Sequence, residues 1–268
     1  MSLKDKTYNS STNFIAFLDV LGFKEIINAN SHNYVVDLYD QVLDKIVIES
    51  IYQSNAEYVL TNKTEPTIKE THINSLLVSD SLILWTNKND IINSFMDIII
   101  CIKYLMFNAF KNGLALRGCI EKGEFNFVKK THETNISNYS LSIVGKALTE
   151  AYLNESKQNW AGCVISEKAI SSFNQQIQEK KKNNIDTVSL QTLINHKFIV
   201  PYQVPYKTGN IKEDYVIDWT NLFTPKTRVT EAEVINSFKE FNRSIDNWDV
   251  NYKIKNTLEF LQKMNNEA

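Results

Sequence analysis

Two strand-like runs, Ile73 to Ser79 and Leu82 to Thr86, are separated by nothing longer than Ser79-Asp80-Ser81. A connection that short permits only a tight antiparallel hairpin, with Asp80 at its tip. Helical patterns bracket the hairpin. Upstream, from about Asn33 to Tyr58, the apolar positions Val35, Leu38, Tyr39, Val42, Leu43 and Ile46 recur at three and four, one face of a long helix. Downstream, about Ile91 to Lys111 forms an apolar helix closed by Asn112-Gly113. Asn13 to Val20 reads as a central strand punctuated by Gly22, and Asn62 to Glu70 as a polar connection. Further strands are expected at Leu114 to Gly123, Ser140 to Val144 and Gly162 to Ser166, with a short helix at Ala147 to Glu155. Helices separate paired strands and do not alternate with them one for one. The expected class is therefore α+β, with a ferredoxin-like sandwich favoured over a doubly wound sheet.

Past about Ser172 the chain turns polar, and Lys180-Lys181-Lys182 reads as a solvated helix end or loop. Strand candidates follow around Pro201 and Pro205 and at Tyr215 to Trp219, then helices near 230 to 243 and 247 to 264. Ile254, Leu258 and Leu261 give the last helix an apolar stripe for docking on the core or on a second subunit.

Composition removes several functional classes. Only seven glycines occur in 268 residues, and no three make G-x-G-x-x-G, so a dinucleotide fingerprint is excluded. Gly118-Cys-Ile-Glu-Lys-Gly123 continues Glu124-Phe125 where a P-loop needs Lys-Ser/Thr. The 29 basic and 31 acidic residues leave a net charge of −2, so broad capture of nucleic acid is not expected and any anion has to be bound locally. Cys101, Cys119 and Cys163 include no C-x-x-C pair and read as buried free thiols of a reducing, cytoplasmic compartment. The scattered histidines 32, 72, 132 and 196 make no zinc pattern. The N-terminus lacks the apolar run of a signal peptide, and Asp97 and Lys103 interrupt the apolar window 94 to 110, so no membrane insertion is expected.

The chemistry-bearing pair is Asp19, at the end of the first strand, and Asp80, at the hairpin tip. If those strands are neighbours, both carboxylates emerge at one end of the sheet, where hard divalent cations take oxygen ligands and bridge phosphate oxygens. Gly22 opens the following turn, so backbone N–H groups from about Leu21 to Lys24 are positioned to approach a triphosphate. Singly, each aspartate is better explained as a turn residue bonding to nearby backbone.

Phe17-Leu-Asp-Val-Leu-Gly-Phe23, Val78-Ser-Asp-Ser81, Arg117-Gly118 with Gly123, and Gly145-x-x-Leu-x-x-Ala-x-x-x-Glu155 follow one another in an order that resembles the class III nucleotide cyclases, across residues 13 to 166. The first two forms are most similar to the bacterial Pycsar-type pyrimidine cyclases. The resemblance implies a ferredoxin-like cyclase core at 13–170, a C-terminal mixed α/β extension at 171–268 for docking or dimer support, and a homodimer with interfacial sites. It implies two Mn2+ or Mg2+ ions held by Asp19, Asp80 and the Val20 carbonyl, with Leu21, Gly22 and Phe23 at the nucleotide. The implied reaction converts UTP or CTP to the 3′,5′-cyclic nucleotide and pyrophosphate, an anti-phage messenger sensed by a separate effector.

Departures from the pattern accompany it. Leu76 stands where adenylate cyclases carry an adenine-reading lysine, and Ser142 where its acidic partner falls, which fits a non-purine substrate. Thr149 and Leu153 replace the asparagine and arginine of the last motif helix, so a catalytically degenerate nucleotide binder is the alternative. Arg117 is the leading substitute cation, with a structural pairing to a carboxylate as the competing role, and Lys146 a weaker candidate. Tyr139, Tyr152 and Trp160 are candidates for stacking a base, or core residues.

Overall fold

The hairpin centred on Asp80 is present, and the strand carrying Asp19 lies directly beside it. The computed structural model describes residues 11–61, 73–86, 90–131, 139–222 and 227–267. The elements run β1 (Ser11–Val20), α1 (Phe23–Ala29), α2 (His32–Leu38), a π-helical turn (Tyr39–Asp44), α3 (Lys45–Thr61), β2 (Ile73–Val78), β3 (Ser81–Thr86), α4 (Ile91–Lys111) and β4 (Leu116–Thr131). After them come β5 (Tyr139–Val144), α5 (Lys146–Ser156), β6 (Cys163–Ile165), α6 (Glu167–Lys182), α7 (Leu190–Asn195), β7 (Ile199–Pro205), β8 (Ile211–Ile217), α8 (Glu231–Lys239) and α9 (Trp248–Asn266). The N-terminal residues 1–10 and the whole of the polar connection expected at 62 to 70 lie outside the described residues.

The sheet order is β2-β3-β1-β4-β6-β8-β7, with β5 paired to β4. Its first four strands are antiparallel to their neighbours, the ferredoxin-like arrangement of two interlocked split βαβ units. β6 then adds parallel to β4, and β8 and β7 follow antiparallel, which makes the sheet mixed and open. Strands from beyond residue 170 thus lie in the same sheet as the strand bearing Asp19.

Alternation along β1 sorts its side chains. Phe14, Ala16, Leu18 and Val20 enter the large core beneath α3, α4 and α6, whereas Ile15 and Phe17 face the other side with Ile83, Trp85, Cys119 and the small residues Ala147 and Ala151 of α5. α4 is the centre of the large core. Asp90 caps it by accepting from the Asn93 N–H at 3.0 Å, and Gly113, at φ 76°, ends it as the sequence predicts. Phe95, Ile98, Ile99 and Leu105 are fully buried, each worth roughly 1.5–3 kcal/mol of transfer energy. By length and composition α4 is apolar enough to cross a membrane, and 67% of that window is buried inside the fold.

Some boundaries differ from the sequence reading. The helix expected from Asn33 contains the π turn, and β4 runs eight residues past Gly123 because its distal half pairs with β5 from Asn126 to Thr131. The two strand candidates around Pro201 and Pro205 are one strand, β7. The polar stretch after Ser172 is the exposed second half of α6, anchored by Phe173 and Ile177.

Candidate active site

The end of β1 is held between two strand partners. Asp19 lies opposite Ser81 of β3 and Arg117 of β4. The next residue, Val20, donates its N–H to the Asp80 carbonyl at 2.9 Å, and Leu21 donates to the Ala115 carbonyl at 2.9 Å. The hairpin tip is therefore fastened to the end of β1, and both aspartates stand at one end of the sheet. Ser79, at φ 55°, makes the left-handed step that turns the hairpin. Tyr39, from the π turn, receives a hydrogen bond from the Ser79 backbone, while burial pushes its hydroxyl above the usual phenol range.

Asp19 shares parity with Ile15 and Phe17, so it continues their row towards the rim of the face covered by α5. Ala147, Ala151 and Glu155 recur at four on that helix. The two alanines let α5 lie close to the sheet, and Glu155 then meets the end of the Arg117 row. Arg117 Nε lies 2.5 Å from Glu155 Oε1, Nη1 donates to the Gln158 carbonyl at 3.1 Å, and Nη2 stands 3.9 Å from Asp19 Oδ2. Arg117 is thus committed first to Glu155, the carboxylate pairing considered for it in sequence, and remains in electrostatic reach of Asp19.

The result is an acidic pocket with incomplete compensation. Burial, then Glu155 and Asp80, push the Asp19 carboxyl up to about 7, against the pull of Arg117 and Lys207. Glu155 is also raised, chiefly by burial, with Arg117 opposing. Lys207 comes from the turn between β7 and β8. Its N–H bonds to the Lys157 carbonyl at 2.8 Å, and Asn159 N–H bonds to Pro205 O at 2.9 Å, which stitches the hairpin onto the end of α5. Burial, Arg117 and Lys253 lower the Lys207 ammonium below its usual range.

Leu21 and Phe23 are buried, so their side chains are withdrawn from the surface. Leu21 N–H is taken by Ala115, and its carbonyl accepts from Arg243 at 2.8 Å. Gly22 is the exposed member, at φ 77°, and caps α1. Thr149 and Leu153 sit on the exposed face of α5, where Leu153 is 47% exposed and Lys146 is solvated beside Glu150. Tyr152 packs edge-on to Phe17, and Trp160 is a core residue donating to Gln158. The Tyr139 side chain lies outside the described residues. Lys207 and Arg243 were missed in sequence, since neither stands near a motif and both arrive from the segment after residue 170.

Asp19 and Asp80 are hard oxygen donors, and after burial, the main cause of the raised Asp19 carboxyl, the neighbouring carboxylates Glu155 and Asp80 add to it. The donor set therefore fits a divalent cation that completes its shell with backbone, water or phosphate oxygens. Among the described residues, no group of three or more His, Cys, Asp or Glu side chains is clustered tightly enough to hold a metal alone.

No protein-family model matches the chain, and no curated protein matches it in sequence. Among solved structures it is similar to the guanylate cyclase domain of RhGC from Catenaria anguillulae in complex with GTP, at 13% identity over 78% of this chain and 96% of that one, TM-score 0.46. It is also similar to the adenylyl cyclase CyaB from P. aeruginosa, at 13% identity over 81% and 96%, TM-score 0.45. A third is the guanylyl cyclase Cya2, at 12% identity over 83% and 98%, TM-score 0.41.

Proposed function

We propose that this chain is a divalent-metal-dependent nucleotide cyclase that converts UTP or CTP to the 3′,5′-cyclic mononucleotide and pyrophosphate. The observation that carries the reading is the fastening of the Asp80 carbonyl to Val20 N–H at 2.9 Å, which brings Asp80 beside Asp19 at one sheet end. On this reading Mn2+ or Mg2+ would be held by Asp19, Asp80 and the Val20 carbonyl. A bound divalent cation there supplies Lewis acidity and offsets phosphate charge.

The chain's own residues do the rest. Arg117 and Lys207 place positive charge beside the carboxylates, where negative charge accumulates as the α–β phosphoanhydride is cleaved. The bond from the ribose 3′ oxygen to the α-phosphorus would form, the bond from the α-phosphorus to the α–β bridging oxygen would break, the hydroxyl proton would pass to solvent water, and pyrophosphate would carry away the electron pair. Leu76 faces Ile83 across the hairpin and packs against the apolar side of the sheet, offering adenine no lysine. Together with Ser142 in place of its acidic partner, that supports a pyrimidine substrate. Val144, Tyr152 and Leu153, exposed by 67%, 51% and 47%, give the α5 side of the molecule an apolar surface suited to a second copy. The product would act as an anti-phage messenger for a separate effector.

A second reading is favoured by Arg117 itself, whose guanidinium is already engaged by Glu155 and Gln158, while Thr149 and Leu153 supply no cation. On it the chain binds nucleotide without turnover. Incubation with each of the four ribonucleoside triphosphates and Mn2+, with chromatographic separation of products, decides between them. Cyclic UMP or cyclic CMP that disappears in Asp19→Asn and Asp80→Asn supports the enzyme. Calorimetric binding without product supports the inert form.

A further inference from the structure

The turn Phe241-Asn242-Arg243 grips both ends of α1. Arg243 is only 6% exposed, and its guanidinium donates to Leu21 O at 2.8 Å, Gly113 O at 2.8 Å and Ser237 O at 2.7 Å, with Nε on Glu240 O at 2.9 Å. One side chain thus joins the β1–α1 turn, the end of α4 and α8. At the other end of α1, Asn30 Nδ2 donates to Phe241 O at 2.9 Å, and Asn242 Nδ2 donates to Asn30 Oδ1 at 2.7 Å. Phe241 and Asn242 both hold φ 62°, a left-handed conformation in two consecutive non-glycine residues. Such strain persists only where surrounding contacts over-determine it, and it concentrates at sites whose geometry matters.

The packing at Gly22 agrees. A Cβ built there would lie 3.1 Å from Arg243 Cδ and 3.6 Å from its Nη1, so the arginine stem occupies the space that a side chain at position 22 would need. Leu21, Gly22, Arg243 and Lys253 also line a common cavity of about 170 Å³. The guanidinium's hydrogen bonds go to backbone carbonyls, it lies over the Phe241 ring with 5.8 Å to the centroid, and its planar fork serves separate acceptors in a way that an ammonium does not.

We infer that Arg243 is a positioning residue: through the Leu21 carbonyl it fixes the Val20–Gly22 turn, and with it the register of Asp19 and the Val20 carbonyl against Asp80. The segment after residue 170 is then part of what holds the site in shape. The functional half of this inference rests on the cyclase reading, and the structural half stands without it.

Two measurements on the full chain test it, hydrogen exchange of peptides covering residues 18–30 and Mn2+ affinity by electron paramagnetic resonance. Arg243→Met is expected to speed exchange in that segment at least tenfold and to weaken Mn2+ at least tenfold, with the β6–β8 amides unchanged. Arg243→Lys should fall between this variant and the unaltered chain. Asn30→Ala, which leaves the arginine bonds in place, should loosen only the second half of α1 and keep the Mn2+ affinity. Should Arg243→Met fail to fold, the Arg243→Lys and Asn30→Ala pair decides by the same contrast. Exchange and Mn2+ affinity equal to those of the unaltered chain in the Arg243 variants overturn the inference. Absence of Mn2+ binding by the unaltered chain contradicts the cyclase reading, and the exchange comparison then still decides whether Arg243 holds the turn.

Discussion

Arg117 Nε lies 2.5 Å from Glu155 Oε1, and the two side chains are 8% and 2% exposed. Breaking such a buried pair leaves a charge without its partner, which costs about 3–5 kcal/mol, whereas replacing both members with apolar residues is close to neutral. Arg117→Ala is expected to destabilise the chain by that amount, and Arg117→Met with Glu155→Met to recover most of it. Urea unfolding of the single and double variants checks this. Equal destabilisation by both would mean that the pair is not the source.

The Asp19 carboxyl, pushed up to about 7 first by burial and then by Glu155 and Asp80, binds a proton in the folded chain over a pH range where the unfolded chain has released it. The Asp19 contribution to stability therefore falls as pH rises from about 4 to about 7 and is flat above that. Asp19→Asn removes the fall. At pH 8 the variant should be more stable by about 2–3 kcal/mol, less than the full linkage value because 24% of the side chain remains in water. Near pH 4 the two should coincide. Thermal melts from pH 4 to 9 measure the difference, and a constant offset across that range would refute the assignment.

Mn2+ binding competes with that proton. The melting temperature should rise with Mn2+ at pH 8 and lose the rise at pH 5, where Asp19 is protonated. A rise of the same size in Asp19→Asn would place the ion elsewhere.

Lys207 opposes the elevation of both Asp19 and Glu155. In Lys207→Met the Asp19 carboxyl should titrate still higher, moving the acid limb of the pH–turnover profile to higher pH and lowering turnover at pH 7 on the order of tenfold. A lower plateau with an unmoved acid limb would show that Lys207 does not act through Asp19.

A Cβ at Gly145 would meet Glu124 O at 2.5 Å and Phe125 Cα at 2.8 Å, both backbone atoms, so the chain has to shift to admit it. Gly145→Ala should cost about 1–3 kcal/mol and shift α5, with Glu155 on it, away from Arg117. Unfolding curves and the Arg117-dependent part of the stability report both effects.

The ferredoxin-like half was legible because its signals are local. Three residues between two apolar runs force a hairpin, and Asp80 had to be at its tip. The π turn was not legible, since Val35 to Ile46 keep an apolar face through it. The extra length of β4 depends on pairing with β5, a partner that Asn126 to Thr131 do not announce. Asp19 and Asp80 could be read from strand ends, but Arg117's commitment required Glu155, 38 residues away and set by the spacing from Ala147 and Ala151. Lys207 and Arg243 are farther still. Both act through carbonyls or long-range charge, which impose no residue pattern on the segments they reach.

The central claim is that Asp19 and Asp80 together turn over a pyrimidine nucleoside triphosphate. Pyrophosphate and cyclic nucleotide are to be measured from the same reaction with UTP or CTP and Mn2+, for the unaltered chain, Asp19→Asn and Asp80→Asn. The account predicts equimolar products from the unaltered chain and neither product from either variant. Undiminished, equimolar products from both variants would contradict it.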